Sequence, residues 1–201
     1  VAGDLVWTDE IDAETAQMRP VIGCRIETVE GLVFLAYPTG RAAYGRLCRL
    51  ISAGRMARLD GTWQAKGVCE IDLALLAANA EGVQLILVPP RELDQRFTID
   101  IASNILTFPG KFEAVSPQVS HSRPMSFPEI LPKLVPRLPS LRHLAASYLH
   151  VGDDIARIER LDAMARANGL GLLATNDVLY ATADRRPLQD VMTAIRHKTT
   201  V

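Results

Sequence analysis

The chain is short of the features that usually reveal a function. It has three cysteines in 201 residues, Cys24, Cys48 and Cys69. They are odd in number, far apart in sequence and form no C-x-x-C pair, which argues against a disulfide framework and a zinc knuckle. Reduced thiols of a cytosolic protein are the reading that remains. Aromatic residues are 5% of the sequence and do not interleave with the arginines, so no base-stacking platform is encoded. The formal net charge is -1, so no global positive field draws the chain to nucleic acid. Any DNA contact has to come from a local patch or a neighbouring domain. No apolar run approaches the length of a membrane span, and the acidic start (Asp4, Asp9, Glu10, Asp12) is the opposite of a secretory leader. Val1 in place of Met fits a processed or excised chain. Walker A, G-x-G-x-x-G and G-x-S-x-G sequences are missing. His121, His143, His150 and His197 form no H-x-H or H-E-x-x-H motif.

What is present suits a soluble α/β domain: 48% hydrophobic and 22% charged residues, over a length sufficient for one full core. Residues 1–18 are polar and read as a weakly ordered or lone helical lead-in. Val21–Thr28 and Leu32–Tyr37 are strand-like runs, with Glu30-Gly31 where a hairpin turn is wanted. Thr39 is a candidate N-cap for a helix with Tyr44, Leu47, Cys48 and Ile51 on its apolar face. Arg41, Arg46, Arg49, Arg55 and Arg58 fill the remaining arc, more simply a solvated face than a phosphate-binding one. A loop over 59–70 leads to a short helix, Asp72–Ala80, closed by Glu81-Gly82. Val83–Val88 is a buried strand stopped by Pro89-Pro90. Phe97–Ile101 and Asn104–Phe108 are candidate strands.

From about 109 to 140, prolines at 109, 117, 124, 128, 132, 136 and 139 mark an irregular stretch that breaks any long helix. Leu144–Leu149 reads as a strand. Asp153 reads as the N-cap of a helix that buries Ile155, Ile158, Leu161 and Met164 and ends at Asn168-Gly169. Leu170–Thr175 is a short apolar strand. Pro187 opens a last helix with Leu188, Val191, Met192 and Ile195 along one side, expected to pack on the core. Strand, helix, strand, loop, helix is the alternation of an α/β fold with parallel strands. In such folds, side chains just past the strand C-termini line the site. Asp177 follows a strand directly, so it is either a metal ligand or general base, or simply part of a turn. His150 either faces a site or is a satisfied surface histidine, and His197 complements the dipole of the last helix.

The segment Leu173-Ala174-Thr175-Asn176-Asp177-Val178-Leu179-Tyr180, with Asp184-Arg185-Arg186-Pro187-Leu188-Gln189-Asp190-Val191-Met192-Thr193-Ala194-Ile195-Arg196 after it, closely resembles the end of the PHP domain of error-prone C-family DNA polymerases. Those proteins are relatives of the polymerase III alpha subunit. Residues 19–25, 41–50 and Gly152-Asp153-Asp154 are similar to upstream pieces of the same domain, in the same order. The resemblance thus covers about residues 19–201 and is weakest across the proline-rich stretch. It implies a lead-in over 1–18 and a partial PHP-like domain over 19–201. The architecture implied is a seven-stranded, TIM-like (β/α) barrel lacking its first βα units, in the N-terminal part of a much longer polymerase. In metal-binding relatives a cluster of His, Asp, Glu and Cys binds metal ions and supports phosphoester hydrolysis in some members. Here the opening histidine motifs are missing, Arg25 stands where those relatives have glutamate, and Leu179 stands where they have histidine.

Asp177 is the one clear match to a ligand, which makes it a vestige. Hard cations need several oxygen ligands, and an arginine about 4 Å from a cation repels it by a few kcal/mol at intermediate dielectric. The resemblance therefore implies a structural and interaction module of a cytoplasmic translesion, DNA-repair polymerase, with a degenerate metal site and no cofactor of its own. The alternative is a residual metal-dependent phosphoesterase, a nuclease or pyrophosphatase; a third reading is an independent small protein of PHP ancestry. The expected partner is the polymerase domain of the parent chain, with DNA met through that domain. Arg186, Gln189, Asp190 and Arg196 lie off the apolar side of the last helix and are the expected inter-domain contact, against the alternative of a solvated face. A barrel without its first units leaves an unpaired strand edge, which favours dimers. Elemental analysis of the purified chain is expected to find no stoichiometric Zn, Mn or Mg. One tightly bound ion per chain would restore the phosphoesterase reading.

Overall fold

The computed structural model describes residues 5–6, 17–18, 21–58, 62–99, 124–148, 150–176 and 178–200. Of the lead-in it describes one short antiparallel pair, β1 (Leu5–Val6) with β2 (Gln17–Met18), extended rather than helical. The expected hairpin follows as β3 (Cys24–Glu27) and β4 (Val33–Pro38). Gly31 supplies the left-handed φ of +86° between them, and Thr28 N–H donates to the Leu32 carbonyl at 2.9 Å. Beyond β4 lie β5 (Val83–Val88), β8 (Leu141–Ala146) and β9 (Gly171–Ala174), in the order β3-β4-β5-β8-β9. β4 runs antiparallel to both neighbours, whereas β5, β8 and β9 are parallel. The remaining strands, β6 (Arg96–Phe97) and β7 (Met125–Ser126), pair with each other. The fold is mixed α/β with parallel strands, as the alternation predicts. Among the described residues the large sheet is open, with β3 and β9 as its edges, and no barrel closes.

One face of this sheet carries the core. Ile26, Phe34, Leu87, Leu144 and Leu172 lie in register across the five strands, and the middle three are fully buried. Against that face pack α1 (Arg41–Met56), α2 (Leu73–Asn79), α3 (Phe127–Leu134) and α4 (Asp154–Ala167), through Leu47 and Leu50, Leu76, Ile130 and Leu131, and Leu161. The opposite face presents Arg25, Leu35, Ile86, His143 and Gly171 in one row.

Several boundaries and faces differ from the sequence reading. Thr39 does not cap α1; its hydroxyl and its N–H both donate to the Gly82 carbonyl, at 2.7 and 2.9 Å, tying the end of β4 to the start of β5. The buried face of α1 is Ala43, Leu47, Leu50 and Gly54, one residue round from Tyr44, Cys48 and Ile51. Gly54 explains the rotation, because a Cβ there would meet the Glu70 carbonyl oxygen at 2.7 Å. The 68–71 segment therefore lies directly on the helix. β6 ends at Phe97, and the candidate strand Asn104–Phe108 lies outside the described residues. The proline-rich stretch is not irregular in its second half, since 127–134 form α3. Pro128 sits in the first turn, where its missing N–H is not needed. Pro132 forfeits one helical bond, offset by four buried apolar side chains and a Ser126–Glu129 capping box. β8 starts at Leu141, earlier than Leu144, and ends at Ala146.

On α4, Ile155 is 68% exposed rather than buried. Its C-terminus does follow expectation. Leu170 N–H donates to the Ala165 carbonyl and Gly169 N–H to that of Arg166, with Gly169 at φ +67°, a Schellman motif. The last helix, α5 (Arg186–His197), buries only Ala194. Leu188, Val191, Met192 and Ile195 do not pack on the core and remain exposed.

Two glycines of α1 give opposed expectations. Gly54→Ala should destabilise the fold by about 1–3 kcal/mol through overpacking. Gly45→Ala, where a Cβ meets nothing within 4 Å, should stabilise it by about 0.5–1 kcal/mol. Urea midpoints of the two variants check both signs.

Candidate functional site

The parallel strands β5, β8 and β9 end on the same side of the sheet, the side where open α/β sheets bind ligands. A cavity of about 240 Å³ lies there, lined by Val88, Pro89, Arg91, Ala145, Ser147, Val151 and Arg157. Pro89-Pro90 stops β5 and turns the chain outward. Arg157, on the second turn of α4, reaches back to hold that turn: its guanidinium donates to the Pro90 carbonyl at 3.0 Å and to the Arg91 carbonyl at 3.4 Å. Ser147 and Thr175 share a hydroxyl–hydroxyl bond of 2.9 Å, which joins the chain just past β8 to the chain just past β9.

The loop from β8 into α4 forms the cavity's rim. Asp153 occupies the N-cap position without a side-chain cap bond, contrary to the sequence reading. The neighbouring Asp154, first residue of the helix, instead binds the loop that precedes it. It is 2% exposed, and its carboxylate accepts from the N–H groups of Val151 (2.9 Å) and Gly152 (3.3 Å). A buried charge is held only with such partners. His150 has a left-handed φ of 57° and stacks edge-on against Tyr148 at 4.8 Å between ring centroids. It is exposed and is not among the cavity's lining residues.

Asp177 lies outside the described residues. On either side of it, Val178 N–H donates to the Asn176 carbonyl at 2.9 Å. Arg25 is exposed on β3 and Leu179 is exposed after β9, the two edge strands of the open sheet. Among the described residues no three His, Cys, Asp or Glu side chains come together as a metal cage. All three cysteines are free. Burial pushes the Cys24 thiol above its ordinary pKa, and the thiols of Cys48 and Cys69 add to the shift. On α5, Arg186 and Asp190 face each other at 3.8 Å as an exposed i,i+4 pair, Gln189 donates to the Thr193 hydroxyl at 3.3 Å, and Arg196 is exposed.

Sequence reasoning missed Arg91, Ser147 and Arg157. Their role depends on the Arg157 side chain reaching from α4 to the turn after β5, which no local pattern records. It also missed why residue 171 is glycine: a Cβ there would lie 2.7 Å from the His143 ring. The cavity is lined by apolar Val88, Pro89, Ala145 and Val151, with Arg91, Ser147 and Arg157 as its polar members.

No protein-family model matches the chain. Curated relatives do. The chain is 38% identical over its full length to an error-prone DNA polymerase of Bradyrhizobium diazoefficiens, of which it covers 15%. It is 35% identical, over 91% of its length, to the error-prone DNA polymerase of Brucella abortus, covering 14% of it. The corresponding polymerase of Caulobacter vibrioides is 31% identical over 94% of the chain and is also covered to 14%. The chain therefore spans about one seventh of the relatives it matches.

Asp154→Ala should destabilise the protein by about 2–3 kcal/mol, because it removes charge-assisted bonds inside the loop. Asp153→Ala should change stability by less than about 0.5 kcal/mol. Thermal or urea unfolding of the two variants measures the contrast, and equal small effects would show that the loop does not depend on Asp154.

Proposed function

We propose that this chain is a PHP-type module of an error-prone, translesion DNA polymerase, and that it acts as a structural and interaction element rather than as a hydrolase. The observation that carries this is the similarity itself: it runs along the whole chain but occupies only about 15% of a polymerase, as expected of one module in a much longer polypeptide. On this reading the five-stranded sheet is part of a (β/α) barrel wall. Its edges, β3 and β9, are the places where further strands would pair.

Arg25 and Leu179 support a degenerate metal site, since they put a cation and an aliphatic side chain where metal-binding relatives have ligands, leaving Asp177 vestigial. The module needs no cofactor of its own. It meets DNA through the polymerase domain of its parent and works in the cytoplasm. α5 is the proposed contact element, with Arg186, Gln189, Asp190 and Arg196 supplying polar contacts of fixed direction to that domain.

Two measurements test the reading. The chain, supplied with Mn²⁺ or Mg²⁺, should hydrolyse neither DNA nor pyrophosphate above background. Arg186→Ala with Asp190→Ala should cost the chain less than about 1 kcal/mol, as exposed ion pairs do, while lowering synthesis by the whole polymerase. Metal-dependent hydrolysis that Asp177→Ala abolishes would replace this reading with the phosphoesterase one.

A further inference from the structure

We propose that the exposed side of α1 and the turn after it form a surface for single-stranded nucleic acid, a contact of this chain's own beside the one assigned to the polymerase domain. Between Arg41 and Cys69 the sequence has Arg41, Arg46, Arg49, Arg55, Arg58 and Lys66 against the single acid Asp60, in a chain whose formal net charge is -1. α1 itself contains no acid. At about 100° per residue, Arg41, Arg49 and Arg55 fall within about a third of the helix circumference, opposite the buried Ala43, Leu47, Leu50 and Gly54. All three are exposed, as are Arg58 and Lys66 beyond the helix. None of these five cations forms an ion pair among the described residues. Arg46 is instead held by Glu81, through its carboxylate at 3.7 Å and its carbonyl at 2.7 Å.

The fold adds an aromatic to these cations. Arg58 N–H donates to the Thr62 carbonyl at 2.8 Å and Gln64 N–H to the Met56 carbonyl at 3.1 Å. Trp63 therefore stands opposite Ala57 in an isolated antiparallel bridge, at the C-terminal end of α1. Its indole is 82% exposed, more than any other large hydrophobic side chain among the described residues. Charge and ring together select the occupant. A polyanion suits a set of cations with hardly an acid among them, whereas an acidic protein surface mixes both signs. A duplex keeps its base faces stacked and leaves the indole unused. A single strand meets both features, with phosphates for the arginines and an unstacked base for Trp63. One indole holds one base, which is less than the interleaved aromatics that the sequence lacks. Binding is accordingly independent of base sequence, with a Kd on the order of 1–100 µM.

Fluorescence anisotropy of a dye-labelled single-stranded oligothymidylate, titrated with this chain at several salt concentrations, tests the proposal. Affinity should fall as salt rises, with a log–log slope of about −2 for some three neutralised phosphates. Arg49→Ala with Arg55→Ala should flatten that slope by about 1.4. Trp63→Ala should weaken binding about fivefold or more and leave the slope unchanged, and Trp63→Phe should recover most of the affinity. All these side chains are exposed, so the variants should keep the urea midpoint of the original chain. No binding to the oligonucleotide at low salt would overturn the proposal. Tighter binding of duplex DNA or inorganic polyphosphate, indifferent to Trp63→Ala, would overturn it in favour of a plain polyanion surface. Binding to vesicles of anionic lipid but not to the oligonucleotide would overturn it in favour of a membrane surface. The module reading is tested by hydrolysis and synthesis, which do not enter this readout, so either idea can fail alone.

Discussion

Burial of one face of the sheet is the constraint on which the rest of the molecule depends. Phe34, Leu87 and Leu144 stand in one row and are wholly removed from water, each stabilising the fold by about 1.5–3 kcal/mol relative to exposure. The alternation of strands places every second residue in that row's face, and α1 to α4 cover it. Because the helices are committed to this side, the opposite face is free to mix apolar residues such as Leu35 and Ile86 with polar ones. That is why Arg25 and His143 can occupy positions inside strands.

The same constraint explains what was legible in the sequence. Features decided within a few residues could be read directly: the hairpin at Gly31, the strand Val83–Val88, the cap at Asn168-Gly169. Each depends on a φ above zero, a run of alternating or continuous apolar residues, or a proline stop. Features decided by what packs alongside could not be read. The buried arc of α1 is set by Gly54 and the segment resting on it, not by the best apolar period. The helix α3 forms despite two prolines, because one needs no donor and four side chains find the core.

The site was legible only as a location. That the ends of the parallel strands would hold it follows from the fold class, but its residues come together only because Arg157 on α4 reaches the turn after β5. Asp153 and Asp154 are equivalent to any pattern-based reading, and only the direction of the chain after β8 decides which one is buried. The apolar period of α5 was read correctly as a period and wrongly as a core face. Periodicity says that one side of a helix avoids water; it does not say which surface removes it from water.

The approach of Gly171 to His143 has a further consequence. β9 lies beside β8 with Gly171 facing the imidazole, where a Cβ would come within 2.7 Å of the ring, so this contact favours the observed register of the ladder. Sliding β9 by two residues would set Leu173 against the ring, and sliding it by one would turn its side chains to the wrong face. The register also fixes how far Thr175 extends past the sheet, and with it the origin from which the C-terminal segment departs. A methyl group at residue 171 has to displace either the imidazole or the strand, and where the strand yields, the point of departure of the following segment moves with it.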